Sequence, residues 1–328
     1  MATRNGERYL GPLLDSLARQ THRPIELVVH DDASEDATIE MLEAFDARAP
    51  FPLRIERATR ARGHAEGFLR AAVRCEGDVV AFCDQDDVWV ERKLEACAGF
   101  MGRSDVALAL HTTRVVDADL REIAPHWPPI RATRLVPPLG YSGPHLDAPG
   151  MAMAFRRSLL DLADPSKRPA SRYTPGTKMP HDEWVQFLGG VAGSTQLIAE
   201  PLVLYRQHGD NVSGPAARTR LVTLKPVVED YRAASSYSAD CATFLESAHS
   251  QDPVVAARFE GGARHYRRMA DRWEMRAALY GLATRRARLA AVARLTVERA
   301  YGPRAGGGFG LRALGKDLVA GVGLRVPA

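Results

Sequence analysis

The sequence predicts an α/β fold with a mostly parallel sheet flanked by helices, followed by a C-terminal helical extension. Three observations carry this. Short β-branched runs alternate with amphipathic segments over the first hundred residues, two of those runs end in clustered acids, and the last third changes to arginine-bearing helical periodicity.

Residues 7–19 place Leu10, Leu13, Leu14 and Leu17 on one helix face. Ile25-Glu26-Leu27-Val28-Val29 reads as a strand running directly into His30-Asp31-Asp32-Ala33-Ser34. A second helix begins over residues 38–45, and Leu53-Arg54-Ile55 forms another short strand. A helix over residues 67–74 leads to Val79-Val80-Ala81-Phe82, a short buried strand. Strand, acidic turn, helix, strand, acidic turn describes a parallel sheet whose carboxyl ends carry the ligands. No GxGxxG opens any of these helices, which argues against a dinucleotide-binding domain of dehydrogenase type.

The most informative stretch is Ala81-Phe82-Cys83-Asp84-Gln85-Asp86-Asp87-Val88-Trp89. Carboxylates repel one another, so crowding them at a strand end costs stability unless a cation sits among them. A hard divalent metal with oxygen ligands, shared with a diphosphate, removes that penalty. The alternative is a solvated acidic loop.

Composition sets wide bounds. The chain has 328 residues, 45% hydrophobic and 26% charged, the balance of a soluble globular protein. No run approaches the roughly 18 to 20 apolar residues that cross a bilayer, and no basic-then-apolar leader pattern opens the sequence. Cys75, Cys83, Cys97 and Cys241 show no metal-ligand or CxxC spacing, so free thiols in a reducing cytoplasm are expected. Residues 258–328 hold 14 Arg and 1 Lys against 5 acids, a net +10, so residues 1–257 carry −6 of the overall +4. Such a basic segment can face anionic lipid or water; a nucleic-acid partner is not expected.

Taken together, the motifs carry a family resemblance. Thr3-Arg4-Asn5-Gly6, VVHDDASEDAT (28–38) and FCDQDDVW (82–89) resemble the nucleotide-sugar half of an inverting, family-2 glycosyltransferase with the GT-A fold. PGMAMAFRRSLL (149–160), HDEW (181–184) and YRQHGDNVSG (205–214) resemble the rhamnosyltransferase-like branch, which builds bacterial surface polysaccharides. The resemblance implies a GT-A domain over residues 1–215, with a nucleotide-sugar half (1–105) and an acceptor half (106–215), and a basic helical extension over 216–328. It further implies a nucleoside-diphosphate sugar donor, with dTDP-rhamnose leading, a polysaccharide or lipid-linked acceptor, and a divalent metal, Mg²⁺ or Mn²⁺.

An inverting transfer needs a base for the acceptor hydroxyl and positive charge for the departing diphosphate. By resemblance, Asp32 holds the base or ribose edge, and Thr3 and Asn5 line the same pocket; an Asx turn is the plainer alternative for Asp32. Asp84 is a ribose or metal contact and Asp86 the direct metal ligand, with Asp87 behind them or capping a helix. Asp182 takes the place of the base, with Glu183 as its substitute; the plainer alternative is acidic residues at a helix N-terminus after Pro180. Arg206 and His208, two apart on an extended loop, project to the same side. There they would clamp the diphosphate, or His208 would ligate the metal, with Asp210 and Asn211 in a closing loop.

Two departures stand out. The family's first strand lies just before the Thr-x-Asn segment, yet the sequence opens at Met1, so either the start lies upstream, which is the expectation, or the sheet lacks a central strand. Gly63-His64-Ala65-Glu66-Gly67-Phe68 replaces an Arg-Asn-Phe type of segment, removing polar contacts expected near the diphosphate. Beyond Gly214, helical periodicity runs over 222–245, 254–282, 285–300 and 311–319, broken by the glycine-rich 302–310. These helices would rest on the inner membrane face beside a lipid-linked acceptor, or pack on the catalytic domain with a solvated basic face. Two other readings were weighed. A sugar nucleotidyltransferase of the same fold would show a glycine-rich basic loop near the N-terminus, and none is present. A catalytically silent, membrane-associated scaffold is opposed by Asp84, Asp86 and Asp182 and favoured by the missing strand and the Glu66-Gly67 change.

Overall fold

The first strand, β1 (Ala2–Thr3), has only two residues and is the edge strand of a three-stranded parallel sheet. It pairs in parallel with β2 (Leu27–Asp31), Ala2 opposite His30 and Thr3 opposite Asp31, and on its other side Ala2 bridges Asp84. The Met1 ammonium donates to the Val28 carbonyl at 2.8 Å, and burial lowers its pKa. Behind it lies an apolar cavity of about 510 Å³, lined among others by Met1, Leu27, Phe68, Val80 and Phe82. The computed structural model describes residues 1–140, 148–172, 176–209, 227–303 and 307–321.

The expected elements follow in order. α1 (Glu7–Ala18) buries Leu10, Leu13, Leu14 and Leu17, all at most 3% exposed, as their spacing requires. α2 (Thr38–Asp46) meets α1 end to end: Asp36 accepts from the Glu7 amide at 3.0 Å, and Glu7 accepts from the Ala37 amide at 3.0 Å. Each helix start thus supplies an acceptor for the other's unpaired N–H groups. β3 (Leu53–Arg57) pairs in parallel with β2, α3 (His64–Val73) begins three residues before its expected start, and β4 (Val79–Ala81) follows. Gly67 lets α3 lie close to the sheet, since a Cβ there would sit 3.2 Å from both Ala2 and His30.

The second sheet, seven-stranded and beginning with β4, is mixed, which corrects the expectation of a mostly parallel one. The elements are β5 (Val88–Trp89), α4 (Lys93–Met101), β6 (Val106–Val116), β7 (Glu122–Trp127), β8 (Arg134–Val136), β9 (Met153–Arg156), α5 (His181–Ala192) and β10 (Ser194–Arg206). Only β6 and β10 pair in parallel here, while β4–β9, β6–β9, β6–β7, β10–β8 and β10–β5 are antiparallel. A tight return such as Asp117–Arg121 between β6 and β7 can join only antiparallel neighbours; the parallel pair needs the crossover through α5.

The helical extension has no core of its own. α6 (Val227–Ser247), α7 (Pro253–Leu279), α8 (Arg285–Val297) and α9 (Leu311–Gly321) pack so that Phe244, Phe259, Tyr266 and Trp273 join one buried cluster with Phe155, Trp184, Leu188 and Val191. Gly262 permits the approach, because a Cβ there would meet Val191 at 3.1 Å. Asp210, Asn211, the boundary near residue 215 and the start of the first extension helix lie outside the described residues.

Candidate active site

The carboxyl ends of β1, β2 and β4 open onto a cleft of about 910 Å³ that also receives the first turn of α5. Thr3, Asn5, Asp32, Asp84, Asp86, Asp182 and His208 all line it. Residues separated by up to two hundred positions are thus brought together by the sheet.

The β2 end is tightly braced. Asp31, not Asp32, braces the turn after β2, accepting from the Ser34 amide three residues on at 2.9 Å and from the Thr3 hydroxyl at 2.9 Å. Asp32 reaches across the cleft edge and accepts from the Arg62 and Gly63 amides at 2.7 and 2.9 Å, fixing the loop before α3. Asn5 sits in the left-handed region at φ 47°, which asparagine tolerates, and its Oδ1 accepts from the Glu35 amide at 2.9 Å.

The β4 end is under electrostatic tension. Burial, then the charges of Asp86 and Asp182, push the Asp84 carboxyl up to about 8, and its Oδ1 lacks a hydrogen-bond partner. Asp87 is fully buried; it accepts from the Arg206 amide at 3.0 Å with Oδ1, while Oδ2 is left over, and burial raises its pKa. Asp86 faces His208, Oδ2 to Nε2 at 2.9 Å, and the imidazole stacks on Tyr9 with ring centroids 4.7 Å apart. Gln85 ties this loop to the first one, its amide donating to the Arg4 carbonyl at 3.0 Å and accepting from the Arg4 amide at 2.9 Å.

Asp182 and Glu183 diverge. Asp182 stands in the cleft wall, with Oδ1 accepting from the Glu183 amide at 2.8 Å. Glu183 turns the other way, into the seam beneath the helical extension. There Ser171 Oγ donates to it at 3.2 Å and Arg172 Nε lies 3.5 Å away, and burial pushes its carboxyl up to about 7. Consecutive residues at a helix start point about 100° apart, and here the angle separates cleft from core.

Arg206 is not brought to the cleft as a diphosphate clamp, which corrects the expectation from its spacing. The residue is only 4% exposed; its Nε donates to the Asp86 carbonyl at 2.7 Å and Nη1 to the Ala118 carbonyl at 2.5 Å. It is the last residue of β10, so alternation with Tyr205 sends its side chain inward to brace the acidic loop. The Glu66-Gly67 departure also has a structural role: Glu66 pairs with the buried Arg168, whose Nε donates to the Met179 carbonyl at 2.9 Å.

Two residues at this edge were not singled out by their sequence pattern. Lys93 is fully buried behind the acidic loop, donating to the Met151 carbonyl at 2.7 Å and lying 3.4 Å from the Trp89 ring centroid; burial lowers its pKa to about 8. Its one available signal was a lysine inside an otherwise apolar helix face. His181 stacks on Phe68 at 4.1 Å and meets Phe82 edge-on at 4.7 Å; burial holds its pKa down at about 4, so the ring is neutral.

Comparison with known proteins fits this geometry. Residues 1–162 match Glycosyl transferase family 2. An uncharacterized glycosyltransferase of Nostoc sp. is 28% identical over 213 residues, covering 63% of each chain. The Escherichia coli UDP-Glc:alpha-D-GlcNAc-diphosphoundecaprenol beta-1,3-glucosyltransferase WfgD is 30% identical over 118 residues, 36% of this chain and 45% of the relative. A crystal structure of S. aureus TarS 1-349 superposes with a TM-score of 0.53 at 16% identity, covering 98% of this chain and 87% of that one. That likeness establishes a GT-A-like α/β fold with a mixed sheet. The chain spans just under two thirds of the length of the curated relatives it matches over the longest stretch.

Proposed function

We propose that the chain transfers a sugar, with inversion, from a nucleoside-diphosphate sugar to a saccharide or lipid-linked acceptor on the cytoplasmic side of a membrane. One observation carries the reading: a single cleft places the strand-end acids Asp84 and Asp86, with His208, opposite Asp182 at the start of α5. In this reading Asp182 removes the proton from the acceptor hydroxyl as the new glycosidic bond forms. Thr3, Asn5 and the Asp32-braced loop shape the nucleoside end. Arg206 and Lys93 hold the acidic loop and the Met151 turn in place from behind.

A divalent cation fits these residues in kind. Asp84 has an orphaned buried oxygen and a proton affinity raised by burial and then by its acidic neighbours, a tension that a cation relieves. Asp86, Asp84 and His208 would hold it, and when bound it neutralises charge on the departing diphosphate. Among the described residues no group of three or more such side chains is already arranged as a cage. The remaining ligands would then be diphosphate oxygens and water, as Mg²⁺ and Mn²⁺ commonly take.

The donor proposed is dTDP-rhamnose, supported by the resemblance of residues 149–160, 181–184 and 205–209 to the rhamnosyltransferase-like branch. A lipid-linked acceptor is supported by the likeness to WfgD, whose name gives a diphosphoundecaprenol-linked acceptor. The test is a thermal-shift screen of dTDP-, UDP- and GDP-sugars with and without Mg²⁺ or Mn²⁺, followed by donor hydrolysis. A true donor at 100 times its dissociation constant should stabilise the fold by about 2.7 kcal/mol. If no nucleotide sugar shifts the melting point under any metal condition, the reading fails.

A further inference from the structure

We propose that α8 and α9 form a docking face for the surface of an anionic lipid bilayer. The two helices pack against each other, and each keeps an apolar stripe in water. On α8, Leu289, Ala293 and Val297 recur every fourth residue on the outer face, with Val297 82% exposed, while Val292 and Leu295 point inward. On α9, Leu311 (79% exposed), Leu318 and Val319 face out, while Ala313 and Asp317 are buried.

Arginines border both stripes. Arg285, Arg286, Arg294 and Arg312 are exposed beside these apolar side chains. Residues 285–321 contain two acids against eight basic residues. Both acids are engaged: Glu298 lies 3.3 Å from Arg294, and Asp317 is fully buried against Arg276. An exposed apolar stripe flanked by cations that outnumber the acids is unfavourable in water. At a bilayer surface the leucines and valines enter the headgroup boundary and the guanidiniums meet lipid phosphates.

Charge asymmetry decides the orientation. The −6 of residues 1–257 is repelled by an anionic surface, whereas the +10 of residues 258–328 is drawn to it, so the chain approaches by its C-terminal helices. Among the described residues no helix is long and apolar enough to cross a membrane, so the contact lies in the interfacial plane. The proposal deepens the reading of a lipid-linked acceptor, which such docking would bring near the cleft. Its test uses no sugar chemistry, so either idea can fail alone.

The experiment is co-sedimentation of the full chain with vesicles of phosphatidylglycerol mixed into phosphatidylcholine, against pure phosphatidylcholine, at low and high salt. Binding to the anionic vesicles alone, weakened by salt, is expected. Arg286→Glu with Arg312→Glu should lower the partition coefficient about tenfold or more. Val297→Ser with Leu311→Ser should lower it several-fold, with the melting temperature of both variants unchanged. Absence of binding to the anionic vesicles, equal binding to pure phosphatidylcholine, or indifference to both variant pairs would overturn the proposal. So would a dimer in size-exclusion chromatography that the same variants dissociate, since a second copy would then cover the face.

Discussion

Two sets of buried carboxylates in this molecule stand in opposite conditions. Asp317, fully buried in the helical extension, accepts from Arg276 at 2.8 and 3.2 Å, from the Tyr280 hydroxyl at 2.6 Å and from the Tyr301 hydroxyl at 2.9 Å. Asp84 and Asp87, at the sheet edge, each keep an oxygen without a partner and hold their protons more tightly than an ordinary carboxyl. The first is a satisfied network that ties α7, α9 and the turn after α8 together. The second is a cluster whose partners are incomplete within the protein. Burial alone does not mark function; burial with unmet hydrogen-bonding and charge does.

The largest effect should come from the cleft. On the proposed reading of Asp182 as the base, Asp182→Asn is expected to lower transfer by about 10² to 10⁴ while a donor titration stays nearly unchanged. Normal transfer by this variant would place the base elsewhere and remove the contrast between the two faces of the α5 start. Next, Asp317→Ala leaves Arg276 buried without a counter-charge and should cost about 3 to 5 kcal/mol of stability in denaturant unfolding, with donor affinity of the folded fraction retained. An unchanged midpoint would show that the satisfied network is not what binds the extension.

Asp86→Asn should abolish the metal-dependent part of nucleoside-diphosphate binding by calorimetry at an unchanged melting temperature. Equal affinity with and without metal in the parent protein would sink the cation assignment.

Glu183→Gln separates neighbour from neighbour by pH. The Glu183 carboxyl moves from 4.5 up to about 7 on folding, so the folded state holds this proton more tightly. Its contribution favours the fold fully below the unfolded value and is lost as pH rises through the window up to about 7. The Gln variant should therefore show a flatter melting-temperature profile between about pH 4.5 and 7 and near-normal transfer; loss of transfer instead would make Glu183 the base.

Much of this was legible in the sequence because it is local. Periodicity located the helices over Glu7–Ala18, Thr38–Asp46, Pro253–Leu279 and Arg285–Val297 within a few residues, and the strand-then-acid pattern located the acidic edge of the cleft. The HDEW run identified a helix start bearing two carboxylates.

What the sequence by itself determined, then, was the order of elements, the charge asymmetry and which residue types could do chemistry. Only the tertiary structure decided which of them face one another. Asp182 rather than Glu183 enters the cleft because α5 docks with its Glu183 side against the extension, whose helices lie far along the chain. Arg206 goes inward, and Lys93 lies beneath the acids, because β10 and α4 pack behind the loop they brace. Helix and strand propensities act over a few residues, whereas the direction of a side chain relative to a site depends on surfaces brought together from distant segments.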